Sequence, residues 1–229
     1  MPLARLHAPF NHPAWIFEPK LDGFRALAYI EGASARLVSR KGNTLKSFPE
    51  LTRALATSLP AVTAILDGEI VRLGTDGKPQ FYELMRRRAP QHFYAFDLLW
   101  IDGDDLRALP LLERKRRLQQ LITTPGPALY VDHIAGSGVD LFEAVCASDM
   151  EGIVAKLAQG RYSPEETTWV KIKNPRYSQA EGRRLLRWTG LRDERLTLSR
   201  PAFLGYARRS RRARGRSQTG QCARGHVAQ

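Results

Sequence analysis

The composition changes abruptly after Gly182, and that break limits how much of the 229-residue chain can build a core. Residues 183–229 hold 13 arginines, no lysine and only two acids, Asp193 and Glu194, for a net charge of +11. The run Arg208-Arg209-Ser210-Arg211-Arg212-Ala213-Arg214-Gly215-Arg216 is low in complexity and cannot bury apolar surface, so a disordered tail is expected there. Residues 1–182 carry 23 basic and 21 acidic side chains. The formal charge of +13 therefore belongs mostly to the tail and gives no ground for reading the body as a nucleic-acid binder.

The hydrophobic content of 43% is enough for one large domain or two small ones. No apolar run reaches the roughly 18 residues of a membrane-spanning helix. Met1-Pro2-Leu3-Ala4-Arg5 leads into no signal-peptide stretch. The two cysteines, Cys146 and Cys222, form no spacing motif. A reducing, cytoplasmic setting without disulfides is expected.

Periodicity predicts strands over residues 15–19, 24–31, 35–39, 64–73, 92–101, 129–134, 152–157 and 169–173. Helices are predicted over 49–59, where Pro49 precedes Leu51, Leu55 and Leu59, over 81–87, over 110–122 with Arg114 to Arg117 outward, and over 139–150. Strands followed mostly by strands imply an α+β domain with antiparallel sheets flanked by helices.

Chemistry concentrates in a few segments. Lys20-Leu21-Asp22-Gly23-Phe24-Arg25 sets a lysine ahead of a turn signal between two apolar runs. A lysine amine attacks only when neutral, and burial or neighbouring cations favour that form. Taken alone, the segment reads better as a hairpin with an exposed lysine. Four further segments change that balance: Ser39-Arg40-Lys41-Gly42-Asn43, Asp67-Gly68-Glu69, Phe93-Tyr94-Ala95-Phe96-Asp97-Leu98-Leu99 and Glu151-Gly152-Ile153-Val154-Ala155-Lys156. Trp169-Val170-Lys171-Ile172-Lys173 adds two lysines that share one face of a strand.

In order, residue type and spacing, residues 10–181 resemble the adenylation (nucleotidyltransferase) domain of ATP-dependent DNA ligases, above all the bacterial end-joining repair type. The resemblance implies a DNA ligase that uses ATP as AMP donor with Mg²⁺ or Mn²⁺. Lys20 would attack the α-phosphate to form a lysyl–AMP. AMP would pass to the 5′-phosphate of nicked or broken double-stranded DNA, and a 3′-hydroxyl would then displace it. Lys171 and Lys173 would neutralise the α-phosphate, and Glu151 would bind the metal. Phe96 would stack on adenine, and Glu18 would orient hydrogen bonds near the base. Arg25 and Arg40 would hold ribose, phosphate or the DNA end, and Glu69 would contact the ribose or support the metal. A monomer that engages no membrane is implied.

The family's following OB-fold domain has no counterpart in residues 183–229, so the expected division is an adenylation domain over 1–182 and an arginine-rich tail over 183–229. A truncated or frame-shifted end, with weak sealing, is the reading of that division. Three other activities stay open at this point. They are an RNA ligase, a capping-type nucleotidyltransferase, and a nucleotide-binding remnant whose basic tail holds DNA phosphates.

Overall fold

A computed structural model describes residues 3–59, 63–75, 77–85, 90–163, 165 and 168–180. The expectation of a disordered tail over 183–229 lies outside the described residues, as do residues 86 and 87 of the helix expected over 81–87.

The elements run β1 (Ala4–Leu6), β2 (His12–Pro19), β3 (Phe24–Glu31), β4 (Ser34–Ser39), α1 (Pro49–Ser58), β5 (Thr63–Val71), α2 (Phe81–Met85), β6 (His92–Ile101) and β7 (Asp104–Asp105). They continue with α3 (Leu111–Leu121), β8 (Ala128–Tyr130), β9 (Ile134–Gly136), α4 (Gly138–Ala147), β10 (Gly152–Leu157) and β11 (Trp169–Lys173). The strands form two sheets. Sheet A is ordered β1-β11-β10-β2-β9, and sheet B is ordered β4-β3-β5-β6-β7 with β8 also paired to β6. Pairing is antiparallel except for β1 with β11 and β8 with β6. The α+β architecture expected from the strand-rich pattern is therefore observed.

Strand alternation sorts the side chains. In sheet B, Ala26, Ala28 and Ile30 of β3, Leu66 and Ile70 of β5, and Phe93, Ala95 and Leu98 of β6 pack with Leu51 and Leu55 of α1 and Leu118 of α3. In sheet A, Phe17, Ile153, Ala155 and Ile172 pack with Val145 of α4. The residues between these apolar positions are of another kind: Glu18, Lys156, Asp67 and Asp97 are buried and charged. One side of each sheet thus builds a helix-covered core, and the other bears buried charge.

Three expectations need correction. Residues 129–134 are not one strand. β8 joins sheet B and β9 joins sheet A, and the chain changes sheets between them, with the Val131 amide donating to Ala95 O at 2.9 Å. Lys20 does not head a hairpin either, because β2 lies in sheet A and β3 in sheet B. Finally, Arg114 and Lys115 do not face outward; they are 0% and 1% exposed. The outer face of α3 is Glu113 with Arg116 and Arg117, paired at 2.8 and 3.0 Å. Arg114 turns inward to Asp97, with Nε and Nη2 donating to the two carboxylate oxygens at 2.7 and 2.9 Å and Nη1 donating to Leu109 O and Gly160 O.

Gly23 serves packing rather than a turn: a Cβ there would sit 2.1 Å from Ile70 O. Gly23→Ala is expected to destabilise the domain by about 1–3 kcal/mol in urea unfolding, with Gly126→Ala, in open surroundings, within about 0.5 kcal/mol of wild type. Arg114→Met is expected to cost about 3–5 kcal/mol by the same measurement, because it leaves the Asp97 carboxylate buried and unpaired.

Candidate active site

The crossover at residues 20–23 places Lys20 between the sheets. Its amide donates to Gly152 O at 2.8 Å, which ties the crossover to the start of β10. Gly152 has a φ of +138°, and a Cβ there would meet Ile172 O at 2.1 Å, so the glycine lets β11 close on the start of β10. Lys20 Nζ pairs with Glu151 Oε2, and Lys173 Nζ lies 2.8 Å from Glu151 Oε1. One carboxylate thus sits between two ammonium groups brought in from three segments. Burial would raise the Glu151 pKa, but Lys20 and Lys173 outweigh it and hold the carboxyl below its ordinary value. The α4 helix ends at Ala147, so the helix dipole does not explain Glu151, whereas the two lysines do.

Ile172 points into the sheet A core, so strand alternation puts Trp169, Lys171 and Lys173 on the opposite side. Lys171 is in register with Arg5 of β1. Its pKa is lowered by partial burial and then by Lys173, Lys20, Arg40 and Arg5. Arg40 is exposed in the turn after β4, within electrostatic reach of this cation group and off the cavity wall.

Beside Lys20 a cavity opens to solvent, walled by Glu18, Arg25, Glu69, Phe96, Lys156 and Trp169 among others. Phe96 meets Trp169 edge to face, with ring centroids 5.6 Å apart. Lys156 Nζ lies 4.2 and 4.1 Å from those two ring centres and 2.5 Å from Glu18 Oε2. Burial drives the Lys156 pKa down to about 8, against the opposing pull of Glu18. Glu18 is also buried, but Lys115 and Lys156 together overcome the desolvation and keep its pKa low. Arg25 donates from Nε and Nη2 to Asp67 at 3.1 and 2.7 Å, and its guanidinium carbon is 5.3 Å from the Trp169 ring centre. Tyr162 Oη donates to Asp67 at 2.9 Å.

Of the residues singled out in the sequence, Lys20, Glu18, Arg25, Glu69 and Phe96 share the cavity wall. Glu151 and Lys173 join Lys20 by direct contact, and Lys171 and Arg40 stand in the surrounding cation group. Sequence reasoning gave no role to Lys156, Trp169 or Lys115. A signal for Lys115 existed: Arg114 and Lys115 stand three and four residues from both Leu111 and Leu118, inside the buried stripe of α3.

A two-sheet α+β fold with a lysine at the sheet crossover, beside an aromatic-walled cavity, defines a nucleotidyltransferase-type domain. Residues 4–173 match the model of the ATP dependent DNA ligase domain, and the chain belongs to the ATP-dependent DNA ligase family as an adenylation domain related to the bacterial LigD ligase domains. It is 31% identical over 170 residues to the multifunctional non-homologous end joining protein LigD of Mycolicibacterium smegmatis, covering 72% of this chain and 22% of that protein. DNA ligase C2 of the same organism is 32% identical over 184 residues, covering 72% of this chain and 51% of that protein. Among solved structures, a mycobacterial DNA ligase D complexed with ATP and MES superposes with a TM-score of 0.67 at 30% identity, covering 75% of this chain and 59% of that one. The chain thus spans about a fifth of the LigD protein and about half of ligase C2. No helix among the described residues is long and apolar enough to cross a membrane.

The family implies a divalent metal. Among the described residues no group of three His, Cys, Asp or Glu side chains could hold an ion by itself. A single buried carboxylate, Glu151, beside Lys20 and Lys173 fits an ion that keeps its waters and takes substrate oxygens, as Mg²⁺ does.

The lowered Lys156 pKa has a testable sign. Below pH 8 the folded and unfolded chains both protonate this lysine, and its burial as a cation opposes folding. Between about pH 8 and 10.5 only the unfolded chain holds the extra proton, so stability rises with pH. Wild type is therefore expected to gain on Lys156→Met across that window by on the order of 3 kcal/mol in urea titrations.

Proposed function

We propose that the chain adenylates itself on Lys20 and passes AMP to the 5′-phosphate of a DNA break, as the ligase step of strand-break repair. The observation that carries this reading is the sharing of Glu151 by Lys20 and Lys173 at the wall of the aromatic cavity. In this proposal the adenylation domain occupies residues 1–182, and residues 183–229 are a separate basic segment.

The cavity takes the adenosine, with Phe96 and Trp169 supplying apolar surface and Glu18 accepting from the base. Glu69 reaches the ribose. The Lys20 ammonium must first give up a proton to solvent, because Glu151, held ionised between Lys20 and Lys173, is a weak base. The neutral amine then attacks the α-phosphorus; the N–P bond forms as the bond to the pyrophosphate oxygen breaks, pyrophosphate leaves with that electron pair, and the nitrogen sheds its second proton to give the phosphoramide. Lys171 and Lys173 meet the charge that develops on the α-phosphate oxygens, where fixed cations act most strongly. Mg²⁺ held near Glu151 would add charge neutralisation for the phosphates. In the second step an oxygen of the DNA 5′-phosphate attacks the same phosphorus, the N–P bond breaks and Lys20 takes back a proton. A 3′-hydroxyl then attacks the activated phosphate and releases AMP. The cation group of Arg5, Arg40, Lys171 and Lys173 suits the approach of a DNA phosphate.

Intact mass after incubation with ATP and Mg²⁺ tests the first step. One AMP is expected on wild type and none on Lys20→Ala, while Lys173→Ala is expected to slow the adduct by about 10²-fold. An AMP adduct that persists in Lys20→Ala would remove Lys20 from the role. Sealing of a nicked duplex by wild type but not by Lys20→Ala tests the later steps.

A further inference from the structure

We infer that Lys115, which lies off the cavity wall, is a positioning residue for base selection: it holds Glu18 as an oriented hydrogen-bond acceptor and so favours a 6-amino purine over a 6-oxo purine. The inference rests on the reading above that Glu18 faces the base.

The geometry is specific. Lys115 Nζ donates to Glu18 Oε1 at 2.6 Å and to Val131 O at 2.9 Å, and it lies 4.5 Å from the Tyr130 ring centre. Lys156 holds the other oxygen, Oε2. A carboxylate can accept roughly four hydrogen bonds, so both oxygens are anchored and each keeps a lone pair for a ligand. Glu18 and Lys156 line the cavity and Lys115 does not. Lys115 is 1% exposed, with no route to solvent and no direct route to a nucleotide. It meets the cavity wall through the Glu18 carboxylate and the backbone carbonyl of Val131, and Glu18 is the side chain it orients.

The consequence is chemical. An ionised Glu18 can only accept, so it suits the N6 amino group of adenine and repels the O6 carbonyl of a 6-oxo purine. A protonated Glu18 could donate to that carbonyl. The groups that face Glu18 are Lys115 from α3, Lys156 from β10 and Tyr130 from β8, with His133 and Asp97 beyond. Removing Lys115 takes away one of the two cations that oppose the desolvation of this carboxyl. Discrimination then falls, and it recovers as pH rises and Glu18 ionises.

The test measures AMP and IMP adduct formation on intact protein with ATP and inosine triphosphate from pH 5.5 to 7.5, below the region near pH 8 where Lys156 sheds its proton. The ATP-to-inosine-triphosphate preference is expected to fall at least about tenfold in Lys115→Met near neutral pH, because a base edge is then read by a group in the wrong protonation state. It is expected to climb with pH in that variant, to stay flat in wild type, and to return in Lys115→Arg. Circular dichroism identifies variants that have lost the fold, and Lys115→Gln, which keeps a donor without the charge, supplies the same comparison if Lys115→Met has. A wild-type preference that Glu18→Gln abolishes but Lys115→Met and Lys115→Gln leave intact overturns the role of Lys115 alone. A preference that Glu18→Gln also leaves intact overturns the reading of Glu18 and the role of Lys115 with it.

Discussion

Two consecutive cations on one helix hold the sheets together at the cavity. Arg114 of α3 forks onto Asp97 of sheet B, and Lys115 reaches Glu18 of sheet A. All four side chains are buried, and an unpaired carboxylate in such a place would cost several kcal/mol. The pairing is therefore a constraint as much as an attraction: the sheets must stay where both acids meet their partners. Apolar contact supports the same docking, since Leu111 of α3 packs on Ile16 of β2. Lys156 completes the arrangement from β10 by taking the second oxygen of Glu18.

This frame explains why a nucleophile can be placed accurately on a connecting segment. Loop residues are ordinarily mobile, but the crossover that carries Lys20 is pinned on both sides. Its backbone is bonded to Gly152, its glycine is pressed on Ile70, and Asp22 accepts from the hydroxyl of Tyr177 at 3.0 Å. The segment after β11 adds to this, because Asn174 bonds the carbonyl of Met150 and Ser178 bonds Asp149. Function and packing therefore share residues here. The glycines that allow close backbone approach, Gly23 and Gly152, stand within three residues of Lys20 and next to Glu151, respectively.

Much of the fold was legible in local pattern. β3, β6, β10 and β11 occupy the spans that alternation and strand propensity predict, because a strand with one apolar face shows its period whatever it pairs with. The site residues were legible as types at characteristic spacings: Lys20 before its glycine, Glu151 before Gly152, Lys171 and Lys173 two apart. Less visible were elements too short to show a period, such as β1 and β7, and the division of residues 129–134 between two sheets. Arg114 and Lys115 were misplaced because charge was taken as a mark of the surface, although their spacing from Leu111 and Leu118 put them on the buried stripe.

The sequence by itself determined the longer strands, which face of each is apolar, and which acids and lysines stand at strand ends beside glycines. These properties depend on neighbours within a few residues. Only the tertiary structure decided which charge meets which: Lys20 finds Glu151 across 131 positions, and Lys115 finds Glu18 across 97. Such pairings follow from how two twisted sheets and a helix pack, and the cost of burying an unmatched charge selects among the possible packings. The break after Gly182 belongs to the sequence, and the identity of the cavity wall belongs to the fold.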